Sequence, residues 1–280
     1  MRIDALVKES SLTLMEAGID NPRLEARVIV GAATGASTEA MVAHPEREVD
    51  ETSVAFVHAL VERRVAGAPM AYLLGRKEFW SLDFTVTAAT LVPRPDSETL
   101  VAGALDFAID AMRPWRALDL GTGTGCLLLS FLSERPYAYG VAVDRSEEAL
   151  AVAAANADSL ELAPRTGFVC ADWAGALGGT FDVVFANPPY IPRDEIPGLA
   201  IEVRDFEPEA ALDGGPDGLD CYRRILVDLP RLLAADGMAF FEVGYGQAAD
   251  VAALARAAGL EPQGTMRDYG GVERCVRISK

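Results

Sequence analysis

The sequence predicts an α/β protein: a doubly wound, mainly parallel sheet preceded by a small all-helical domain and a β-hairpin linker. Three observations carry this. From Arg116 onward, short apolar runs alternate with amphipathic stretches. The first of these runs ends in a glycine-rich turn, Gly121-Thr122-Gly123-Thr124-Gly125. Residues 1–72, by contrast, show only helical periodicity. Strands that alternate with helices pair in parallel and are covered on both faces.

In residues 1–72, Ile3, Leu6, Val7, Leu12, Leu14 and Met15 suit one face of a helix. A second helix begins near Pro22, whose fixed φ fits a first turn, and runs to Gly31. A third spans Glu51 to Val65. In residues 73–92, Phe79-Trp80 and Phe84-Thr85-Val86 flank Ser81-Leu82-Asp83 as two strands of a hairpin. Pro93 and Pro95 then forbid a continuing helix or central strand. Residues 93–280 form the main domain. Its first helix starts at Ser97, a capping residue type, and runs to Met112. Strands follow at Ala117–Leu120, Tyr139–Val143, Thr166–Val169, Phe181–Ala186, Gly237–Val243, Gln263–Met266 and Arg274–Ile278. Helices fall at Cys126–Leu132, Ser146–Asn156, Leu219–Ala234 and Gln247–Ala258.

Lys+Arg number 25 against 42 Asp+Glu, a formal net charge of −17. That excess opposes general binding to a phosphate backbone, so no stable nucleic-acid complex is expected. It favours a basic protein partner. Cys126, Cys170, Cys221 and Cys275 are scattered, with neither disulfide nor metal spacing. Asp4, Lys8 and Glu9 stand where a signal peptide needs an apolar run. No stretch approaches the ~18 apolar residues of a membrane span. A cytoplasmic protein with no metal and no membrane partner is expected.

The glycine turn marks a cofactor site. Alternating Gly121, Gly123 and Gly125 let the backbone turn sharply and approach a ligand. The next strand ends in Asp144, 25 residues after Asp119, where an acid accepts ribose hydroxyls. Gly-x-Gly-x-Gly is a weak signal alone, since nicotinamide enzymes use a related loop. Asp119, just before the glycines, repels a pyrophosphate and attracts an ammonium. That weighs for S-adenosylmethionine. Asp172, after the third strand, is placed to accept from the adenine amino group. Trp173 is either a stacking partner for the adenine or a core aromatic.

Asn187-Pro188-Pro189-Tyr190, after the fourth strand, carries the chemistry. Two prolines remove two N–H donors and stiffen the turn. The Asn187 side-chain oxygen and the Pro188 carbonyl are two acceptors for the two hydrogens of an –NH2 group. Tyr190 offers a flat face to a planar substrate, and Asn187 also borders the cofactor. The competing structural reading is a double-proline turn after a buried strand. Its place at the carboxyl end of a strand near the switch point of the sheet favours the functional one.

The glycine loop together with Asn187-Pro188-Pro189-Tyr190 resembles class I methyltransferases acting on planar nitrogen. Further segments narrow the resemblance: Ala71-Tyr72-Leu73-Leu74-Gly75, Glu78-Phe79-Trp80, Leu91 to Glu98, Phe206-Glu207-Pro208, Gly214 to Leu219, and Glu242-Val243-Gly244 with Gln247. These are similar to the release factor N5-glutamine methyltransferases over nearly the whole chain. The resemblance implies a Rossmann-like, seven-stranded methyltransferase sheet. It implies that Gly121, Thr122, Gly123, Thr124, Gly125, Asp144 and Trp173 bind S-adenosylmethionine. It implies that Asn187, Pro188, Pro189 and Tyr190 hold the glutamine of a Gly-Gly-Gln loop, and that the helical domain docks the release factor. Ser81 stands where the family commonly has glycine, and Ser97 where it commonly has threonine. A sister family methylates a glutamine of a ribosomal protein with much the same motifs. Adenine N6 methylation fits the quartet too, but predicts a basic groove and a Lys/Arg-rich insert. A non-catalytic adaptor predicts a damaged glycine loop or quartet, and both are intact.

Overall fold

The apolar stripes of the N-terminal helices close on one another. In the computed structural model, which describes Met1–Lys280, α1 (Ile3–Glu16), α2 (Pro22–Thr34) and α4 (Glu51–Val65) enclose Leu6, Leu14, Ile29, Val30, Val57 and Leu60. Two short helices, α3 (Thr38–Ala43) and α5 (Met70–Leu74), join them. The sequence reading omits both, because one turn of helix is too short to show a periodicity. Ser37 caps α3, its hydroxyl accepting the Ala40 N–H at 3.2 Å.

This helical unit comprises Met1–Gly75 and a distant segment, Ala200–Phe206, which contains α9 (Ile201–Arg204). Phe206 packs on the helical core. Arg64, its side chain only 11% exposed, ties the segment down by charge. Its guanidinium meets Glu25 at 2.7 Å and Glu202 at 2.9 Å, and donates to the Ala68 carbonyl at 3.1 Å.

The second unit, Arg76–Leu199 with Glu207–Lys280, holds the sheet. Its first strands, β1 (Arg76–Phe79) and β2 (Leu82–Thr85), form an antiparallel hairpin. The turn is tighter than the sequence suggests. Trp80 and Ser81 alone make it, at φ 54° and 58°, so Trp80 is no strand residue and Leu82-Asp83 are. Two left-handed residues define a turn whose twist matches the strands. Trp80 is held there by its backbone N–H, which donates to Glu98 at 2.8 Å, and its indole, which donates to Glu134 at 3.0 Å.

Seven strands follow in the order β5-β4-β3-β6-β7-β9-β8. They are β3 (Arg116–Leu120), β4 (Tyr139–Asp144), β5 (Thr166–Cys170), β6 (Phe181–Ala186), β7 (Leu233–Glu242), β8 (Glu261–Arg267) and β9 (Glu273–Ser279). β3 to β7 pair in parallel; β9 runs antiparallel to β7 and β8. The chain steps outward from β3 through β4 to β5, then returns to place β6 on the other side of β3, which creates a switch point. All six residues of β6 are buried, as a central strand requires.

Helices α6 (Glu98–Phe107), α7 (Cys126–Glu134), α8 (Glu147–Ser159), α10 (Asp220–Leu232) and α11 (Ala248–Ala257) cover the sheet. Tyr222, Ile225, Leu229 and Val251 from α10 and α11 fill one face. Leu100, Leu128 and Phe131 fill the other, with Phe79 and Phe84 of the hairpin. α6 ends at Phe107, short of the expected Met112. Asp110 ends it by a local turn: its carboxylate accepts the Met112 N–H at 2.9 Å and its carbonyl the Trp115 indole at 2.7 Å. No helix is long and apolar enough to cross a membrane.

Arg64→Met leaves the Glu25 carboxylate half-buried without its partner. We expect a loss of roughly 2–4 kcal/mol in urea unfolding, below the cost of a fully buried pair because Glu202 is half-exposed. Protease cleavage within 200–206 should appear at the same time. An unchanged midpoint and digest would show that the ion pair anchors nothing.

Candidate active site

Strand register sets the site. Leu120 of β3 pairs with Ala186 of β6, so Gly121 and Asn187 leave neighbouring strand ends side by side. Leu120 also pairs with Val143, which places Asp144 on the other flank. A cavity of about 890 Å³ opens there. Gly121, Thr122, Gly123, Thr124, Asp144, Asp172, Trp173, Asn187 and Pro189 reach its wall. Asp119, Gly125, Pro188 and Tyr190 do not line it.

The glycine loop takes the conformation its composition allows. Gly121, Gly123 and Gly125 sit at φ 76°, 53° and 81°. The Gly121 and Thr122 N–H groups donate to the Val143 carbonyl, each at 2.9 Å. A Cβ on Gly121 would lie 3.2 Å from the Trp173 ring. The Trp173 ring packs against the core and also borders the cavity. Both oxygens of Asp144 accept backbone N–H groups, from Gly123 at 3.0 Å and Ser146 at 2.9 Å. Each oxygen keeps a lone pair, so the carboxylate is aimed and still able to accept hydroxyls. Asp172 pairs with Arg224 of α10, a partner the sequence gives no hint of.

Asp119 is 1% exposed. One of its oxygens accepts the Thr122 hydroxyl at 2.7 Å; the other has no partner. Burial pushes its carboxyl up to about 7, with the Asp144 charge adding to the shift. A buried acceptor without a donor fits an ammonium, which would supply the missing hydrogen bond. The donor set therefore suits the amino-acid end of S-adenosylmethionine.

The quartet is braced from behind. Asn187 Nδ2 donates to the Ser97 hydroxyl at 3.3 Å, and Ser97 donates in turn to buried Glu242. Ser97 does not cap its helix, contrary to the sequence expectation; its hydroxyl is committed to the carboxylate instead. Tyr190 is mostly buried, its hydroxyl 3.4 Å from the other Glu242 oxygen and its carbonyl accepting from Gln247 at 2.9 Å. The glycine-rich 214–218 loop packs against it: a Cβ on Gly214 would fall 2.8 Å from the Tyr190 Cα. That loop is a buttress. Arg94 pairs with buried Glu207, which also accepts the Val92 N–H at 3.2 Å, and Asp96 pairs with Arg274 at 3.1 Å. These partners are far apart in sequence. The one signal that marks Glu242 is a charge closing the apolar run Met238-Ala239-Phe240-Phe241. Cys126 borders the cavity, but burial pushes its thiol up to about 12, so it stays protonated and unreactive.

The Asp119 environment makes a testable claim. A carboxyl raised from its usual range binds a proton more tightly folded than unfolded, so its favourable contribution is present at acid pH and is lost as pH rises through about 7. Asp119→Asn removes that penalty. Its melting temperature should exceed that of the unsubstituted protein at pH 8 and match it at pH 4. Equal differences at both pH values would reject the buried charge.

The helical segment and the sheet have separate counterparts among known families. Residues 5–75 match the PrmC N-terminal domain, and residues 103–200 the methyltransferase small domain. A release factor glutamine methyltransferase of Rhodospirillum rubrum is 42% identical over 97% of this chain and 83% of its own length. Its counterpart in Bradyrhizobium diazoefficiens is 40% identical over 99% of this chain and 95% of its own. A solved methyltransferase of Pyrococcus furiosus is similar in fold, with a TM-score of 0.51 at 16% identity, over 79% of this chain and 96% of that one. Sequence likeness of this extent, carried by both segments at once, makes the chain a member of the release factor glutamine methyltransferase family.

Proposed function

We propose that this protein transfers the methyl group of S-adenosylmethionine to the side-chain amide N5 of the glutamine in the Gly-Gly-Gln motif of peptide chain release factors. The observation that carries this reading is Asn187. It emerges beside the glycine loop with its NH2 end committed to Ser97, which leaves Oδ1 as an acceptor. Asn187 Oδ1 and the Pro188 carbonyl take the two hydrogens of the substrate amide. Accepting both pushes electron density back onto the nitrogen and fixes its lone pair. Such orientation lowers a barrier by up to roughly 7–11 kcal/mol in favourable cases. Bound at the loop, the cofactor supplies an electrophilic methyl group on a good leaving group. The Asp119 carboxylate holds its ammonium, Asp144 its ribose hydroxyls, and Asp172 and Trp173 border its base. A methylated amide nitrogen is strongly acidic, so its proton leaves without a dedicated base.

Residues 1–72 dock the release factor in this reading, residues 73–92 link, and residues 93–280 catalyse. The cytoplasm, where translation ends, is the place of action. The net charge of −17 favours a basic protein partner over nucleic acid.

The test offers labelled S-adenosylmethionine with release factor, the same factor with its Gly-Gly-Gln glutamine replaced, a ribosomal protein substrate and double-stranded DNA. Label on the glutamine of the intact factor alone is the expected result. Label on DNA or on the ribosomal protein would replace the proposed substrate. Asn187→Ala should cut kcat roughly 100-fold or more, the scale of losing a preorganised site group, while the cofactor Kd stays within a few fold. A parallel loss of cofactor affinity would reject its role toward the substrate. Asp144→Ala should instead weaken cofactor binding about tenfold or more, the weight of two hydroxyl hydrogen bonds. Calorimetry showing an unchanged Kd would reject the ribose assignment.

A further inference from the structure

Asn187 is held by Ser97 at the cavity wall and, through it, by Glu242, which does not line the cavity. Glu242 closes β7 with 2% of its surface exposed, and Ser97 is 3% exposed. One Glu242 oxygen accepts the Ser97 hydroxyl, the other faces the Tyr190 hydroxyl, and the Glu242 backbone carbonyl accepts the Tyr222 hydroxyl at 2.7 Å. Ser97 Oγ accepts from Asn187 Nδ2.

The direction of this chain follows from counting protons. An ionised carboxylate only accepts, and a serine hydroxyl has one proton. With that proton on Glu242, Ser97 shows Asn187 nothing but lone pairs. An amide oxygen turned toward Ser97 would meet acceptor with acceptor, so only the NH2 end of Asn187 satisfies it. The oxygen then faces the other way, toward the cavity.

We propose that Ser97 and Glu242 are positioning residues for methyl transfer: a one-way relay from Asn187 through Ser97 to the Glu242 carboxylate keeps the Asn187 oxygen turned to the substrate amide. The proposal rests on the reading of Asn187 as the acceptor for that amide. It gives the Pro93–Glu98 segment a task. Arg94 on Glu207 and Asp96 on Arg274 pin the segment just ahead of Ser97.

The relay has a charge condition. Burial pushes the Glu242 carboxyl up to about 7, against the Ser97 hydrogen bond and the Arg274 charge, which favour ionisation; Asp96 opposes it. The other titratable groups facing it are Tyr190, Tyr222, Cys126 and Cys275, all raised by burial and therefore protonated near neutrality. Once protonated, Glu242 donates to Ser97, whose own proton is free to turn to Asn187. Asn187 then satisfies it with its oxygen and presents NH2 to the substrate NH2, donor against donor. Activity should therefore fall as pH drops through about 7.

The variants are Ser97→Ala, Ser97→Thr and Glu242→Gln, with thermal melting and cofactor Kd as controls for folding. We expect Ser97→Ala and Glu242→Gln to lower kcat roughly ten- to a hundredfold, the weight of one charge-assisted hydrogen bond, with the cofactor Kd held. Ser97→Thr, which keeps the hydroxyl, should recover most of that loss. Glu242→Gln should also flatten the acid limb of the kcat profile. In the full-length protein without substrate, the side-chain 15N-amide resonance of Asn187 should titrate near pH 7 and cease to do so in Ser97→Ala. A resonance that titrates regardless of Ser97, or a kcat that Ser97→Ala leaves intact, overturns the relay. Failure of the unsubstituted enzyme to label the glutamine overturns the substrate reading instead, and the resonance still decides the relay.

Discussion

The site depends on one backbone pairing, that of β3 with β6. These strands are distant in the chain, and the return of β6 to the free edge of β3 makes them neighbours. Their register brings Leu120 level with Ala186. Everything chemical follows from the next residue on each strand. Gly121 begins the loop proposed to receive the cofactor, and Asn187 begins the quartet proposed to receive the amide. A slip of one residue would reverse every side chain on β6, and a strand buried on both faces resists such a slip strongly.

Among the carboxylates the protein buries, two stand near the carboxyl ends of their strands, Asp119 in β3 and Glu242 in β7. Both sit where charge is costly, and burial raises both. They differ in what they lack. Asp119 keeps an oxygen with no partner, an opening suited to a cationic ligand. Glu242 is engaged at both oxygens by Ser97 and Tyr190, which makes it a fixed reference for the groups in front of it. One acid is left with an open oxygen and the other is engaged at both.

The division of labour among the loops follows the same logic. Proline and glycine make the quartet and the 214–218 segment stiff or compact, and Gln247 joins the Tyr190 carbonyl to Gly244 through both ends of its amide. Methyl transfer between two bound groups needs orientation more than acid–base chemistry, so a rigid backbone with aimed acceptors is what the reaction asks for.

The sequence by itself determined the α/β class, most strands of the sheet, the glycine loop with Asp119 and Asp144, and the Asn187–Tyr190 quartet. Those features are local: strand periodicity, glycine spacing and a double proline can be read within a few residues. Tertiary structure alone decided that Ser97 serves Glu242 instead of capping α6, that Asp172 meets Arg224, and that Ala200–Phe206 belongs with the helices through Arg64. It also moved the hairpin turn to Trp80-Ser81, where Glu98 and Glu134 hold a tryptophan at positive φ. Each of these joins residues far apart in the chain, and a hydroxyl or carboxylate can serve many partners equally well. Which one it takes is fixed only when packing has placed a donor within reach and excluded the water that would otherwise compete.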